Sequence, residues 1–299
     1  MRIHIHNALS FCQLGQRDHQ EDARWPENDQ ANDSQRFFLV CDGVGGNAKG
    51  EVASNTVCHA FARAMKRMQT DPDFSNAQLA EVLNDAYTAL DRMSDDENEG
   101  MATTLTFLCL HGTGATMAHI GDSRIYHIRP SEGILYRSDD HSLVNSMVHN
   151  GVVTPEEGSD HPQQNVITRY MEAVDKEHFR HLATVMRTDD IQPGDCFFLC
   201  TDGVAHCVGD DDLLSILTDT DTDENAKMVE MARRCVDSPD NNTAWLIFID
   251  KVEGAQPRQE RPFTEQPATK RMSVPRKGTT DVEPHAVTKK SNWFKRFFS

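Results

Sequence analysis

The sequence predicts an α+β fold in which antiparallel or mixed sheets are covered by helices. Short runs rich in β-branched and aromatic residues recur between turn residues and charges, as buried strands do. Elsewhere, long stretches repeat apolar residues every 3.6 positions. These helical stretches come in blocks and not one after every strand, which argues against a doubly wound parallel sheet.

The first clear strand runs from Phe37 to Cys41. A helix follows over residues 50–68, where Ala53, Val57, Ala60, Phe61, Ala64, Met65 and Met68 share one face. Leu79, Val82, Leu83, Ala86, Leu90 and Met93 mark a second helix. Strands are then predicted from Thr103 to Leu110, Ala115 to Ile120, Arg124 to Ile128 and Cys196 to Thr201. A third helix over residues 224–236 is expected to carry Met228, Val229, Ala232, Cys235 and Val236 on one side, before a last strand from Thr243 to Ile249. No internal repeat is visible.

The chain has 299 residues, 38% hydrophobic and 26% charged, the composition of a globular protein. Its net charge of −17 is unevenly spread. Residues 251–299 hold 11 Lys and Arg against 5 Asp and Glu, leaving 19 against 42 for residues 1–250. An acidic body repels nucleic-acid phosphates, so no nucleic-acid partner is expected, whereas divalent cations are attracted. The eight cysteines form no CxxC pair, and most lie in apolar runs. That is the pattern of buried, reduced thiols rather than of a zinc site. The first residues have no long apolar core and no stretch approaches the ~20 apolar residues that span a bilayer, so a cytoplasmic body is expected.

Aspartates at strand ends are the informative feature. Phe37-Phe38-Leu39-Val40-Cys41 leads into Asp42-Gly43-Val44-Gly45-Gly46, and Cys196 to Thr201 leads into Asp202-Gly203-Val204. Asp240-Asn241-Asn242-Thr243 feeds the last strand from the other side. An Asp there projects a hard oxygen ligand from a rigid scaffold, as magnesium, manganese or calcium prefers. A following Gly lets the backbone approach closely. One Asp-Gly alone is ordinary turn chemistry; two after near-identical apolar runs point to a metal site.

Further motifs fall in register with these. They are Gly15-Gln16-Arg17-Asp18-His19-Gln20-Glu21-Asp22, Met101-Ala102-Thr103-Thr104-Leu105, Gly121-Asp122-Ser123-Arg124-Ile125-Tyr126, Asp140-His141-Ser142 and Asn165-Val166-Ile167-Thr168-Arg169. Together with the strand-end aspartates, they make residues 8–250 resemble the metal-dependent protein phosphatase family, type 2C, in its bacterial form. The resemblance implies a four-layer α-β-β-α sandwich, with two antiparallel sheets face to face and helices outside. It implies a phosphatase catalytic domain over residues 1–250 and two Mn²⁺ or Mg²⁺ ions, with a weaker third.

It also implies roles for individual residues. Asp42 would bridge the metals, with the Gly43 carbonyl and Glu21 on the second and Asp202 and Asp240 on the first. Asp122 would join Asp202 at the third site. Asp22 would orient water, and Arg17 would grip the substrate phosphate with its guanidinium fork. His141 and Asn241 are expected to be structural members of their motifs. Two cations sharing a carboxylate lower the pKa of a bridging water enough to give hydroxide near neutral pH. The expected reaction is therefore attack of that hydroxide on a serine or threonine phosphomonoester of a phosphorylated protein, opposing a cognate kinase pathway.

Gln20 stands where the family usually has Asn, and Val44 where eukaryotic members carry a His that protonates the leaving group. The second departure leaves the proton donor unassigned. Cys12 and Arg17 are one residue too close for a cysteine phosphatase motif. Two other readings share the fold: a phosphoprotein-binding pseudoenzyme, and a regulator acting on one dedicated partner. No core carboxylate is lost and Arg17 is present, so the phosphatase reading leads. It is expected to act as a monomer. Residues 143–164 resemble the family's flap beside the active site.

Residues 251–290 carry few large apolar side chains, so disorder is the default expectation for this basic tail. The chain then closes on Asn292-Trp293-Phe294-Lys295-Arg296-Phe297-Phe298-Ser299. In helical register Trp293 stacks with Phe297 and Phe294 with Phe298, a pattern suited to docking on an anionic membrane surface or in a partner's groove.

Overall fold

The computed structural model describes residues 1–44, 48–93, 100–159, 161–173 and 180–254. Gly45 and Gly46 of the first Asp-Gly motif, and the aromatic positions Trp293, Phe294, Phe297 and Phe298, lie outside the described residues. So does the expected disorder of the tail beyond Gly254.

The chain opens with strands β1 (Arg2–Ile5), β2 (Ala8–Gln13), β3 (Asp22–Trp25), β4 (Gln30–Ala31) and β5 (Phe37–Val44), then helices α1 (Ala48–Met65) and α2 (Asn76–Asp91). Strands β6 (Ala102–Thr103), β7 (Leu105–His111), β8 (Gly114–Ile120), β9 (Arg124–Arg129) and β10 (Gly133–Arg137) follow, with α3 (Leu143–His149) and α4 (Pro155–Ser159) after them. The last part contains β11 (Met171–Glu172), β12 (Thr184–Thr188), β13 (Cys196–Cys200), α5 (Asp202–Cys207), α6 (Asp210–Thr218), α7 (Glu224–Cys235) and β14 (Asn242–Glu253).

The strands form two sheets, and every pairing described is antiparallel. One has the order β10-β9-β13-β14-β2-β4, with β1 beside β14. The other has the order β11-β6-β5-β7-β8-β12, with β3 beside β5.

Strand alternation explains how these sheets become four layers. Phe38 and Val40 of β5 and Leu108 and Leu110 of β7 point inward to meet Phe197, Leu199, Trp245 and Ile247 of the facing sheet. Their neighbours Leu39, Cys41, Phe107 and Cys109 point outward against Val57, Phe61 and Leu90 of α1 and α2. On the opposite outer face, Phe198, Cys200 and Leu246 pack against Leu213 and Leu217 of α6 and Met228 and Met231 of α7. A strand buried on both faces reads as a continuous apolar run, which is why these strands were legible without alternation. The α-β-β-α sandwich is therefore the architecture.

One helix face departs from expectation. On α7, Val229 is 66% exposed, and Val236 just after the helix is 55% exposed, while Met228, Met231 and Cys235 are buried with Lys227. The stripe keeps Met228, Ala232 and Cys235 of the predicted face and adds Met231, while Val229 and Val236 fall outside it. Lys227 tucks its stem inside and donates to the Leu217 carbonyl at 2.9 Å. Met93, expected on the α2 face, is 42% exposed just beyond that helix. Cys41, Cys58, Cys109, Cys196, Cys200 and Cys235 are buried free thiols, while Cys207 is half-buried and Cys12 exposed. No helix among the described residues is long and apolar enough to cross a membrane.

Candidate active site

The candidate side chains gather where the ends of both sheets meet. Asp42 lies near the end of β5, Asp122 in the turn between β8 and β9, and Asp202 at the start of α5, directly after β13. All three are buried, and each offers a carboxylate oxygen within 4.8 Å of the others. Buried like charges at this spacing are unfavourable unless a cation neutralises them. A set of hard oxygen donors is what Mg²⁺ and Mn²⁺ require, so these residues fit the implied metals.

Around this trio the opening motif forms a second tier. Asp22 on β3 pairs in register with Asp42 on β5. Its Oδ2 accepts a hydrogen bond from the Thr201 hydroxyl at 3.0 Å. Its Oδ1 is buried without a hydrogen bond of normal geometry, although the Thr243 hydroxyl lies within electrostatic reach. Burial pushes the Asp22 carboxyl well above the usual range; the Asp202 and Asp240 charges add to this, and the Thr243 and Thr201 hydroxyls oppose it.

Glu21 is fixed through its backbone: its N–H donates to Asn241 Oδ1 at 2.8 Å, and its carbonyl accepts from Gly43 N at 3.0 Å. Its carboxylate lies against Gly50 of α1, where an added Cβ would come within 2.8 Å of Oε2. Gly43 and Gly50 are themselves in backbone contact, since a Cβ on Gly43 would lie 2.2 Å from the Gly50 carbonyl oxygen. These two glycines let α1 start directly behind the end of β5.

Arg17 and Asp240 are brought together rather than apart. The Arg17 guanidinium donates to Asp240 Oδ2 at 2.6 Å and to the Pro239 carbonyl at 3.2 Å. Asp240 Oδ1 accepts from Asn241 N at 2.9 Å. Asp240 therefore stands beside the trio, engaged with Arg17, and is not one of its three members. Asn241 Nδ2 donates to the Leu14 carbonyl at 2.9 Å, so this side chain ties the Asp240 turn to the Arg17–Glu21 segment.

The Gln20 departure is accommodated: its Oε1 accepts from Asp22 N at 2.9 Å and its Nε2 donates to the Gln13 carbonyl at 3.0 Å. His141 is bonded on both ring nitrogens. Its Nδ1 accepts from Gly121 N at 3.1 Å, and its Nε2 meets the Thr184 hydroxyl at 2.8 Å. Burial pushes its imidazole down to about 2, with His119, Arg169 and His181 adding to the effect. Arg124 grips Asp140 through two parallel bonds of 2.9 and 2.7 Å, which explains why the motifs around residues 122 and 140 sit together. The hydroxyls of Thr104, Ser123 and Thr201 were not singled out from the sequence, because nothing local marks which distant backbone group a strand hydroxyl will meet.

The profile described as Protein phosphatase 2C matches residues 19–246. The chain belongs to the protein phosphatase 2C family. Among its relatives is the serine/threonine protein phosphatase PstP of Mycobacterium tuberculosis, 34% identical over 226 residues; the match covers 73% of this chain and 41% of the relative. The chain thus spans less than half the length of that relative. Protein phosphatase PhpP of Streptococcus pneumoniae is 31% identical over 230 residues, covering 73% of this chain and 87% of that protein. The crystal structure of the catalytic domain of a serine threonine protein phosphatase PstP, in complex with 2 manganese ions, superposes with a TM-score of 0.67 at 25% identity, covering 84% of this chain and 100% of that one. In this family setting, the trio Asp42, Asp122 and Asp202 marks the candidate metal centre.

Proposed function

We propose that the protein is a metal-dependent serine/threonine phosphoprotein phosphatase. The convergence of Asp42, Asp122 and Asp202 to within 4.8 Å, at the junction of the two sheets, carries this reading. Asp42, Asp202, Asp240, Glu21 and the Gly43 carbonyl would hold two Mn²⁺ or Mg²⁺ ions, with Asp122 serving a weaker third. Bound there, the cations supply Lewis-acid charge and lower the pKa of coordinated water.

The chain's own groups do the rest. Arg17 presents a planar fork of donors at the rim, half exposed and tethered by Asp240 and Pro239, where it receives the substrate phosphate. Charge that develops on the phosphoryl oxygens meets this guanidinium, and stabilising that charge lowers the barrier. Asp22, held at Oδ2 by Thr201, directs its other oxygen to orient the attacking water. Neither His141 nor a residue at position 44 supplies a proton here: His141 is bonded on both nitrogens and position 44 is Val. The same reading makes the substrates phosphorylated proteins and opposes the enzyme to a cognate Ser/Thr kinase. It treats residues 1–250 as the catalytic domain of a cytoplasmic monomer. Residues 251–299 become a basic tail whose Trp293, Phe294, Phe297 and Phe298 serve docking on a membrane surface or protein.

Hydrolysis of p-nitrophenyl phosphate and of a phosphothreonine peptide, titrated with Mn²⁺ and Mg²⁺, tests the proposal. Activity is expected only with metal, and Asp42→Asn and Asp202→Asn should each lower kcat/KM at least a hundredfold, about 3 kcal/mol. A metal-replete protein inactive on both substrates would sink it.

A further inference from the structure

The threonine-rich segment between α2 and β7 is absorbed by none of the roles above, yet its Thr104 touches both strand-end carboxylate loops. Thr104 occupies the break between β6 and β7 and is fully buried. Its hydroxyl accepts a hydrogen bond from Asp42 N at 2.9 Å, and its own N–H donates to the Asp42 carbonyl at 2.8 Å. The Thr103 hydroxyl donates to the same carbonyl at 2.9 Å. The Asp42 backbone is therefore pinned on both its polar groups.

The Thr104 hydroxyl also shares a hydrogen bond of 2.8 Å with Ser123 Oγ, and the Thr106 hydroxyl donates to the Ser123 carbonyl at 3.0 Å. On the other side of Asp122, Gly121 adopts φ +113°, and an added Cβ would lie 2.6 Å from the Thr104 methyl. Thr104 thus brackets Asp122: its methyl lies against the residue before and its hydroxyl bonds the residue after. Asp42 comes from one chain segment and Asp122 from another 80 positions on, and one buried side chain contacts both segments.

We infer that Thr104, with Ser123, is a positioning pair that holds the Asp42 and Asp122 carboxylates at cation-binding separation. The inference rests on the metal-centre reading above. Groups that orient metal ligands change metal affinity by about 10–100-fold when removed. Threonine supplies both the methyl contact and the hydroxyl that makes the two bonds, and the hydroxyl is the group that orients.

Mn²⁺ binding to the full chain, followed by isothermal titration calorimetry alongside thermal unfolding, tests this. Thr104→Val keeps the shape and removes the hydroxyl; it should weaken Mn²⁺ binding about 10–100-fold. Thr104→Ser restores the hydroxyl and should return affinity to within about threefold of the parent, a recovery expected if the hydroxyl orients the ligands. Ser123→Ala should weaken binding in the same direction as Thr104→Val, and it decides the matter if Thr104→Val does not fold. Thr116→Val, which removes a buried hydroxyl bonded to His111, is the control: lower stability with parent-like Mn²⁺ affinity is expected. Parent-like affinity in Thr104→Val, or in Ser123→Ala where the first is unfolded, would overturn the inference while leaving the metal centre intact. A parent protein that binds no Mn²⁺ would remove the metal centre and this inference with it.

Discussion

The imidazole of His111 closes β7 at the opposite end from Thr104. Its Nε2 meets the Thr116 hydroxyl at 2.9 Å and its Nδ1 the Thr113 hydroxyl at 2.9 Å, with Asp73 at 3.7 Å. Burial pushes it down to about 4, Asp73 opposing and Arg187 reinforcing the shift. The folded state therefore keeps this ring neutral while an unfolded His takes up a proton near 6.5. A depressed histidine contributes stability that is complete above about 6.5 and is lost as pH falls toward the folded value. The slope is on the order of 1 kcal/mol per pH unit between those limits. Urea unfolding of the parent and of His111→Gln at pH 7 and pH 5 checks it: the parent's advantage should shrink at pH 5, and an unchanged gap would refute it. At this scale the sequence was legible where chemistry was declared by type and place, as with Asp42 and Asp202 after their apolar runs. It was silent on what the Thr104 hydroxyl bonds, its partners Asp42 and Ser123 lying 62 and 19 positions away.

Whole strands were readable when both faces were covered. β5, β7, β8, β9, β13 and β14 lie between helices and the facing sheet, and each buries apolar residues on both of its faces. β3 was not readable, because Asp22-Ala23-Arg24-Trp25 mixes a site carboxylate with an arginine that bonds the Glu27 carbonyl. β12 was missed because its residues are only partly covered at the sheet edge. Between β12 and β13 a charged group does structural work that no apolar pattern signals. Asp195, fully buried, accepts from Arg129 Nε at 2.7 Å, from His127 Nε2 at 2.9 Å and from Gln192 N at 2.9 Å. Burial pushes its carboxyl up, but the bonds from His127, Arg129 and Gln192 outweigh it and hold the carboxyl below its ordinary range. Its contribution is therefore full at neutral pH and is lost only as acid carries the pH down through that lowered value. Asp195→Asn leaves the Arg129 charge without its closest buried counter-ion and should cost about 3–5 kcal/mol at pH 7. Denaturant unfolding measures this directly; a loss below about 1 kcal/mol would mean that Asp190 and Glu132, which also pair with Arg129, suffice.

Across the whole molecule, the site exists because two sheets are stacked. Asp22 and Asp42 come from one sheet, Asp202 and Asp240 flank strands of the other, and Asp122 sits in the turn where the chain crosses between them. Inter-sheet packing thus brings these segments to one place. The central contact of that packing is Phe38 against Trp245, with ring centroids 5.2 Å apart at an angle of 58°. Trp245 is fully buried, and its indole N–H makes no hydrogen bond among the described residues. Two substitutions separate what the ring contributes by filling space from what its nitrogen contributes. Trp245→Ala removes the ring between the sheets and should cost about 3–5 kcal/mol. Trp245→Phe keeps an aromatic surface for Phe38 and discards a buried donor that nothing satisfies, so its loss should stay near 1 kcal/mol, the cavity term offset by the removed desolvation. Chemical denaturation of both variants, with Trp25 and Trp293 retained as fluorescent reporters, gives the comparison. If Trp245→Phe proves as damaging as Trp245→Ala, the indole nitrogen has a partner that holds the sheets together, and the packing account of this junction is wrong.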